Sequence, residues 1–226
     1  MEREVLQKVQ PILLDIAREI KRVCEENDIR YFMYRGTFLG AVRHLGFIPW
    51  DEDMDFAMLR EDYEKFCRIA PQALGKDYCF QNWHTDPGYA HPFGKVRKRG
   101  TLYVEAKCRP LQENGFYVDI YPLDNAPGDP ALQHRLARQQ LHLYRVKLMK
   151  SGYTPWMEDR KIIWKKRIGY LLYQTAALFV SQQTLIRKYE SLSRVEEGTR
   201  VYEQSALPVS YYFEKTLCRE LEEYDF

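Results

Sequence analysis

The chain has 226 residues, 45% of them hydrophobic and 29% charged, with a formal net charge of +2. That is enough for one sizeable core with an accessory helical part, and it excludes a repetitive or low-complexity chain. Five cysteines, at 24, 67, 79, 108 and 218, show no C-x-x-C spacing; their odd count argues against a disulfide framework and a zinc site and fits a reducing, cytosolic setting. Met1-Glu2-Arg3-Glu4 opens a charged helix rather than a signal peptide. The longest apolar run, 168–180, contains Gln174 and is short of the ~20 residues a membrane span needs.

Leu6, Val9, Leu13, Ile16, Ile20 and Val23 recur every three or four residues, which predicts an amphipathic helix over 5–26, with Pro11 as a kink or as its true first turn. The stretch 31–60, YFMYRGTFLGAVRHLGFIPWDEDMDFAMLR, organises the chain. It predicts a strand at 31–34, a break at Arg35-Gly36-Thr37 and a short helix over 38–44 ended by Leu45-Gly46. A second strand is predicted over 50–58. Alternation along it puts Met54, Phe56 and Met58 on one face and Asp51, Asp53 and Asp55 on the other. Carboxylates crowded on one face repel unless a cation sits among them, and a hard divalent ion such as magnesium prefers oxygen ligands of this kind. Gly36 lets the backbone approach a ligand closely, Thr37 is placed to cap the next helix, and free N–H groups there suit a phosphate. A phosphate cradle just before a metal-binding D-x-D is the logic of a nucleotidyltransferase-type site.

Beyond it, a helix is predicted from Arg60 to before Gly75, with Tyr63, Phe66, Ile69 and Ala70 on one face, then a strand over 78–83. His44, His84 and His91 have no helical-pair spacing and are not expected to bind metal. FGKVRKRGTLYVE, 93–105, predicts two strands making a hairpin around Arg99-Gly100, with Lys95 and Arg97 sharing a face. Gly115 to Leu123 predicts an apolar strand with one charge, Asp119, which is costly to bury unless paired or metal-bound. Asp119 is thus the natural third carboxylate, and Asp124, past Pro122, is expected in a turn. Asp129-Pro130 is a good helix start. Helices are predicted over 132–150, 158–180 and 182–196.

The block GTFLGAVRHLGFIPWDEDMDFAM resembles the signature of the LicD/fukutin-type phosphotransferase family, G-T-L-L-G-A-V-R-H-x-G-F-I-P-W-D-D-D-h-D-h, departing mainly at Phe38 and Glu52. A second block, GFYVDIYPLD at 115–124, resembles the family's G-h-F-h-D-I-F-P-L-D. The resemblance covers roughly residues 5–155. It implies an α/β (α+β) fold, a nucleotidyltransferase-like mixed sheet flanked by helices, with a core over 1–126 and a helical accessory region over 127–226 packed on it. It implies transfer of phosphocholine or a similar phospho-alcohol group from a CDP-linked donor, such as CDP-choline, to a sugar hydroxyl of a glycan such as lipopolysaccharide or teichoic acid, or of its lipid-linked precursor. Asp53, Asp55 and Asp119 would hold magnesium, or manganese, and Asp119 or Asp51 would take the hydroxyl proton. Gly36, Thr37, Arg43, Lys95 and Arg97 would meet the donor's phosphates. Nucleic acid is not an expected partner. Family members typically carry a further Y-G-D-Y-like motif near a P-P pair, absent from this sequence, which bears on the acceptor side of the site.

Two rivals use the same residues: a nucleotidyltransferase moving NMP from an NTP to a small molecule, told apart by pyrophosphate release, and a non-catalytic module that binds metal and nucleotide without turnover. Residues 131–170 hold ten Lys/Arg against Glu158 and Asp159. Lys161, Lys165 and Lys166, with Trp164, precede the apolar run. Either Leu171, Leu172, Ala176 and Phe179 pack on the sheet domain, or the helix lies at the inner face of a membrane and gives a cytoplasmic protein a peripheral contact.

Overall fold

The computed structural model describes residues 3–104, 113–152, 164–195, 200–203 and 213–214. Helix α1 (Arg3–Glu26) runs unbroken through Pro11, and the periodic apolar residues are its buried face. A mixed sheet follows, built from β1 (Phe32–Met33), β2 (Asp55–Leu59), β3 (Tyr78–Gln81), β4 (Gly94–Lys98) and β5 (Tyr117–Asn125) in the order β1-β2-β5-β4-β3. Only β2 and β5 are parallel among these pairs. Helices α2 (Arg35–His44) and α3 (Arg60–Ala73) connect β1 to β2 and β2 to β3. This is the α/β architecture expected.

The two faces of the sheet differ. Met54, just before β2, with Phe56 and Met58 of β2, Val118 and Ile120 of β5, Val96 of β4 and Phe80 of β3 pack with α1 and with Tyr63 and Phe66 of α3 into the main core. Alternation sends Asp55, Ala57, Asp119, Tyr121 and Lys95 to the opposite face. There Ala57, Tyr121 and Leu123 form a smaller cluster with Phe32, Tyr34 and Val201.

Several boundaries depart from the sequence expectation. The strand carrying the acidic run begins at Asp55, so Asp51 and Asp53 lie in the approach to it rather than on it. Residues 101–104 form no strand; β4 pairs with β3 and β5 rather than with a hairpin partner after Gly100. Strand β5 runs through Pro122 to Asn125 and includes Asp124. A proline fits there because β4 leaves that edge of β5 at Ile120 and β6 (Arg200–Glu203) joins it at Leu123, so no ladder bond is lost. Strand β6 and its partner β7 (Phe213–Glu214) return the second half of the chain to the sheet, where mostly helices and no strand were expected.

Those helices are α4 (Pro130–Lys150), α5 (Trp164–Phe179) and α6 (Gln182–Ser193). Asp129 caps α4 as expected, its carboxylate accepting from the Ala131 N–H. The predicted start of α5 at 158 lies outside the described residues. Trp83, Tyr89 and Ala90 pack with Tyr144, Leu148, Ile186 and Tyr189, which docks α4 and α6 on the loop after β3. No helix of the described residues is long and apolar enough to cross a membrane.

Candidate active site

Register builds the site. Asp55 is the Cα partner of Asp119 across the parallel β2–β5 pair, Asp119 that of Lys95 across β5–β4, and Lys95 that of Gln81 across β4–β3. Four polar side chains therefore form one row across four strands, on the face away from the main core. All four are buried. Lys95 Nζ lies 3.1 Å from Asp119 Oδ1 and 3.2 Å from the centre of the Tyr117 ring. The Tyr121 hydroxyl reaches Asp119 Oδ2 at 3.4 Å.

The loop before β2 brings Asp51 and Asp53 to the same end of the strand pair. Asp53 presents surface to solvent but is crowded by protein atoms, and this desolvation is the first cause that raises its pKa. The charge of Asp51 and the hydrogen bond that a protonated Asp53 donates to it act in the same direction, while Arg35 and Lys95 oppose them. A loop and two strands, rather than one strand face, bring Asp51, Asp53, Asp55 and Asp119 to this end. The side chain of Gln10 on α1 steadies the loop, donating to the Asp51 carbonyl at 3.1 Å.

Helix α2 contributes its first turn. Thr37 does not cap it: the N-cap is Tyr34, which makes no side-chain cap bond. Instead Thr37 Oγ1 accepts the Asp55 N–H at 2.8 Å, so this hydroxyl pins the start of β2. A methyl group on Gly36 would stand 2.8 Å from Asp51 Oδ2, so glycine here lets that carboxylate lie against the helix start. The helix ends at Leu45 in the left-handed region (φ 53°), not at Gly46. Gly40 is what the turn requires, since a Cβ there would meet the Gly46 carbonyl at 2.6 Å.

The remaining predicted residues divide. Arg97 is 1% exposed, and its guanidinium donates to Gln81 Oε1 at 2.6 Å and to the Gly115 carbonyl at 2.8 Å while stacking on Tyr117. It stands two residues along β4 from Lys95, over the same Tyr117 ring. Arg43 is exposed in the last turn of α2, seven residues and roughly 10 Å of helix from Gly36, so the fold does not bring it beside the carboxylates. Arg35 was missed. It adopts a left-handed backbone (φ 50°), uncommon and costly for a residue with a Cβ, and its guanidinium lies 4.6 Å from the Tyr121 ring centre, on the side that influences Asp53. A cation directly before Gly36-Thr37 was the available signal. Tyr121 was also legible, two residues from Asp119 and so on its face.

The donor set, carboxylates alone, suits a hard divalent cation in its chemistry, and at Asp53 burial first and the charge of Asp51 next outweigh Arg35 and Lys95. Among the described residues no three His, Cys, Asp or Glu side chains stand together as a ready cage.

The family model for the LicD/FKTN/FKRP nucleotidyltransferase domain matches residues 28–140, which contain both motif blocks and every residue of the polar row. The chain belongs to this family. Among relatives of this LicD-family chain is the lipopolysaccharide cholinephosphotransferase LicD of Haemophilus influenzae, 25% identical over 221 residues, covering 94% of the chain and 81% of the relative. The ribitol 5-phosphate transferase FKRP of human and of mouse is 42% identical over 133 residues, covering 54% of the chain and 23% of the relative. The LicD-family chain thus spans most of the first relative and under a quarter of the others. It is an enzyme of the LicD phosphotransferase type.

Proposed function

We propose that this enzyme moves phosphocholine, or a similar phospho-alcohol group, from a CDP-linked donor to a sugar hydroxyl of a cell-surface glycan or its lipid-linked precursor, with release of CMP. The observation that carries the reading is the buried row of Asp55, Asp119 and Lys95 in a member of the LicD family. The names of the relatives, a cholinephosphotransferase and a ribitol 5-phosphate transferase, support a phospho-alcohol cargo.

In this mechanism the sugar oxygen attacks the phosphorus that bears the alcohol, and the bond from that phosphorus to CMP breaks. Asp119 takes the proton, with Asp51 as the alternative base. Asp53, Asp55 and Asp119 would hold magnesium or manganese; when bound, such a cation neutralises the diphosphate and favours departure of CMP. Lys95, Arg35 and the first turn of α2 at Gly36-Thr37 hold phosphate oxygens. Arg97 acts by fixing Tyr117 and Lys95, and Arg43 is left to more distant parts of the donor. The enzyme works in the cytoplasm, at the inner face of a membrane.

A screen of CDP-alcohols for CMP release, with and without magnesium, tests the proposal. Cation-dependent CMP release from CDP-choline or a related donor supports it. Pyrophosphate release from an NTP without CMP release from any CDP-alcohol overturns it in favour of nucleotidyl transfer. Donor binding with neither product reduces the chain to a binding module.

A further inference from the structure

Helix α5 is buried on one side only. Ala177 packs with Val146 and Leu185, and Tyr173, Ala176 and Val180 lie against the same cluster. The Tyr173 hydroxyl meets His142 and Arg145 of α4, and Lys150 Nζ donates to the Ala177 carbonyl at 2.9 Å. So among the described residues α5 is fastened to α4 and not to the sheet, and Leu171, Leu172 and Phe179 do not pack on the described part of the sheet domain as one sequence reading expected.

The opposite face is apolar and turned outward. Leu171, Leu172, Leu178 and Phe179 are 58%, 65%, 79% and 86% exposed. With Thr175 they fall at i, i+1, i+4, i+7 and i+8, one continuous helical face. The Thr175 hydroxyl donates to the Leu172 carbonyl at 2.9 Å, so the one polar side chain in this stripe bonds back to its own helix. Four large apolar side chains side by side differ from the scattered exposed leucines of an ordinary surface.

The three helices of this half are basic. Helix α4 carries five Lys/Arg, α5 three and α6 two, and Glu190 is the one acid in the three helices. Arg135 and Arg138 are exposed and share with His142 and Arg145 the stripe of α4 that carries α5. Arg187 and Lys188 are exposed on α6, and Lys165, Lys166 and Arg167 lie in the first turn of α5. An apolar face on a group of three helices that hold ten cations and one acid is complementary to an anionic lipid surface: the leucines and Phe179 would enter the boundary of headgroup and acyl chain, and exposed cations such as Arg135, Arg138, Arg187 and Lys188 would meet the headgroups.

We propose that the outward face of α5, centred on Leu171, Leu172, Leu178 and Phe179, is the surface by which this protein docks on an anionic bilayer. The proposal supplies the membrane contact of the functional reading and rests on it only for the choice of compartment. Co-sedimentation of the full chain with phosphatidylglycerol-containing vesicles and with neutral phosphatidylcholine vesicles tests it, at low and high salt. The expected result is pelleting with the anionic vesicles at low salt, fading as salt rises. A variant with Leu171, Leu172, Leu178 and Phe179 all changed to Ser should lose about tenfold or more of the bound fraction while its circular dichroism and melting stay as in the wild type, because these side chains make little contact with the fold. In an independent variant, Arg135→Gln with Arg138→Gln, binding should weaken at low salt and lose part of its salt dependence. No pelleting with anionic vesicles at low salt overturns the proposal, as does wild-type pelleting by the four-serine variant. A wild-type dimer in sedimentation velocity that the four-serine variant abolishes, without vesicle binding by either, overturns it too and assigns the face to a second copy. CMP release from a CDP-alcohol, measured without vesicles, reads the active site separately, so failure of one reading leaves the other standing.

Discussion

At one end of the β2–β5 pair, Asp55 and Asp119 stand side by side with Asp51 and Asp53 close by, and Lys95 and Arg35 supply the positive charge. At the other end of the same two strands, five residues further along β5, Asp124 is held by Arg60 through two 2.6 Å bonds. Both ends bury carboxylate, but only the second closes as a matched bidentate pair, the strong form of this interaction. Burial raises the carboxyl pKa at both ends; at Asp53 the next cause is the charge of Asp51, which raises it further, whereas at Asp124 the next cause is Arg60, which lowers it. A fold gains nothing by collecting like charges, so we assign the proposed chemistry to the crowded end, while the Arg60–Asp124 pair secures the entry of α3.

That contrast is broken most severely at the Arg60–Asp124 end. Arg60→Ala leaves Asp124, 1% exposed, without its partner. Loss of one member of a buried pair costs about 3–5 kcal/mol, so chemical denaturation should show a drop of that order. A change below about 1 kcal/mol, the range of surface pairs, would mean that the two ends do not differ as described.

At the other end, substitution should act on turnover instead. Asn at 119 preserves the shape of Asp119 and cannot take a proton. A loss in kcat of ~10²-fold or more is expected. Wild-type kcat in Asp119→Asn together with a large loss in Asp51→Asn would move the base to Asp51.

A buried charge of a third kind lies in the helical half and gives the smallest effect. Lys147 Nζ, with no matched carboxylate, donates to the Tyr89 carbonyl at 2.5 Å and to Ser151 Oγ at 2.9 Å. Burial lowers its pKa from the ordinary 10.5 to about 8. Between those values the unfolded chain holds more protons than the folded one, so the destabilisation from this residue is full below pH 8 and fades as pH rises toward 10.5. The unfolding free energy of the wild type minus that of Lys147→Met should therefore rise between pH 7 and pH 10. A flat difference would show that the carbonyls compensate the charge fully.

Much of the architecture was legible because periodicity reports directly on burial: the apolar stripe of α1, the alternation in β2 and β5, and the Asp129 cap all stand where the residues put them. The carboxylates were legible as a set because a charge in an apolar strand, as at Asp119, has few uses. What was not legible depends on contacts between distant segments. Nothing local says that the Thr37 hydroxyl accepts the Asp55 N–H instead of capping its own helix. Asp124, past Pro122, reads as a turn residue until β6 is seen to join that edge of β5 and Arg60 to take its carboxylate. Arg97 reads as a free cation until Gln81, sixteen residues earlier, takes its guanidinium. The outward face of α5 needed the fold as well, since a 3.6-residue period tells that one side differs from the other and not which side is covered.

The central claim is that the crowded end of β2–β5 is the active site and is kept at a cost to stability. Asp55→Asn, with CMP release and thermal melting measured on the same preparation, tests it most directly. The account predicts a loss of about 10²-fold or more in CMP release with a melting temperature equal to or above that of the wild type, because one of several crowded charges is gone. Undiminished CMP release in Asp55→Asn at the same magnesium concentration would contradict it.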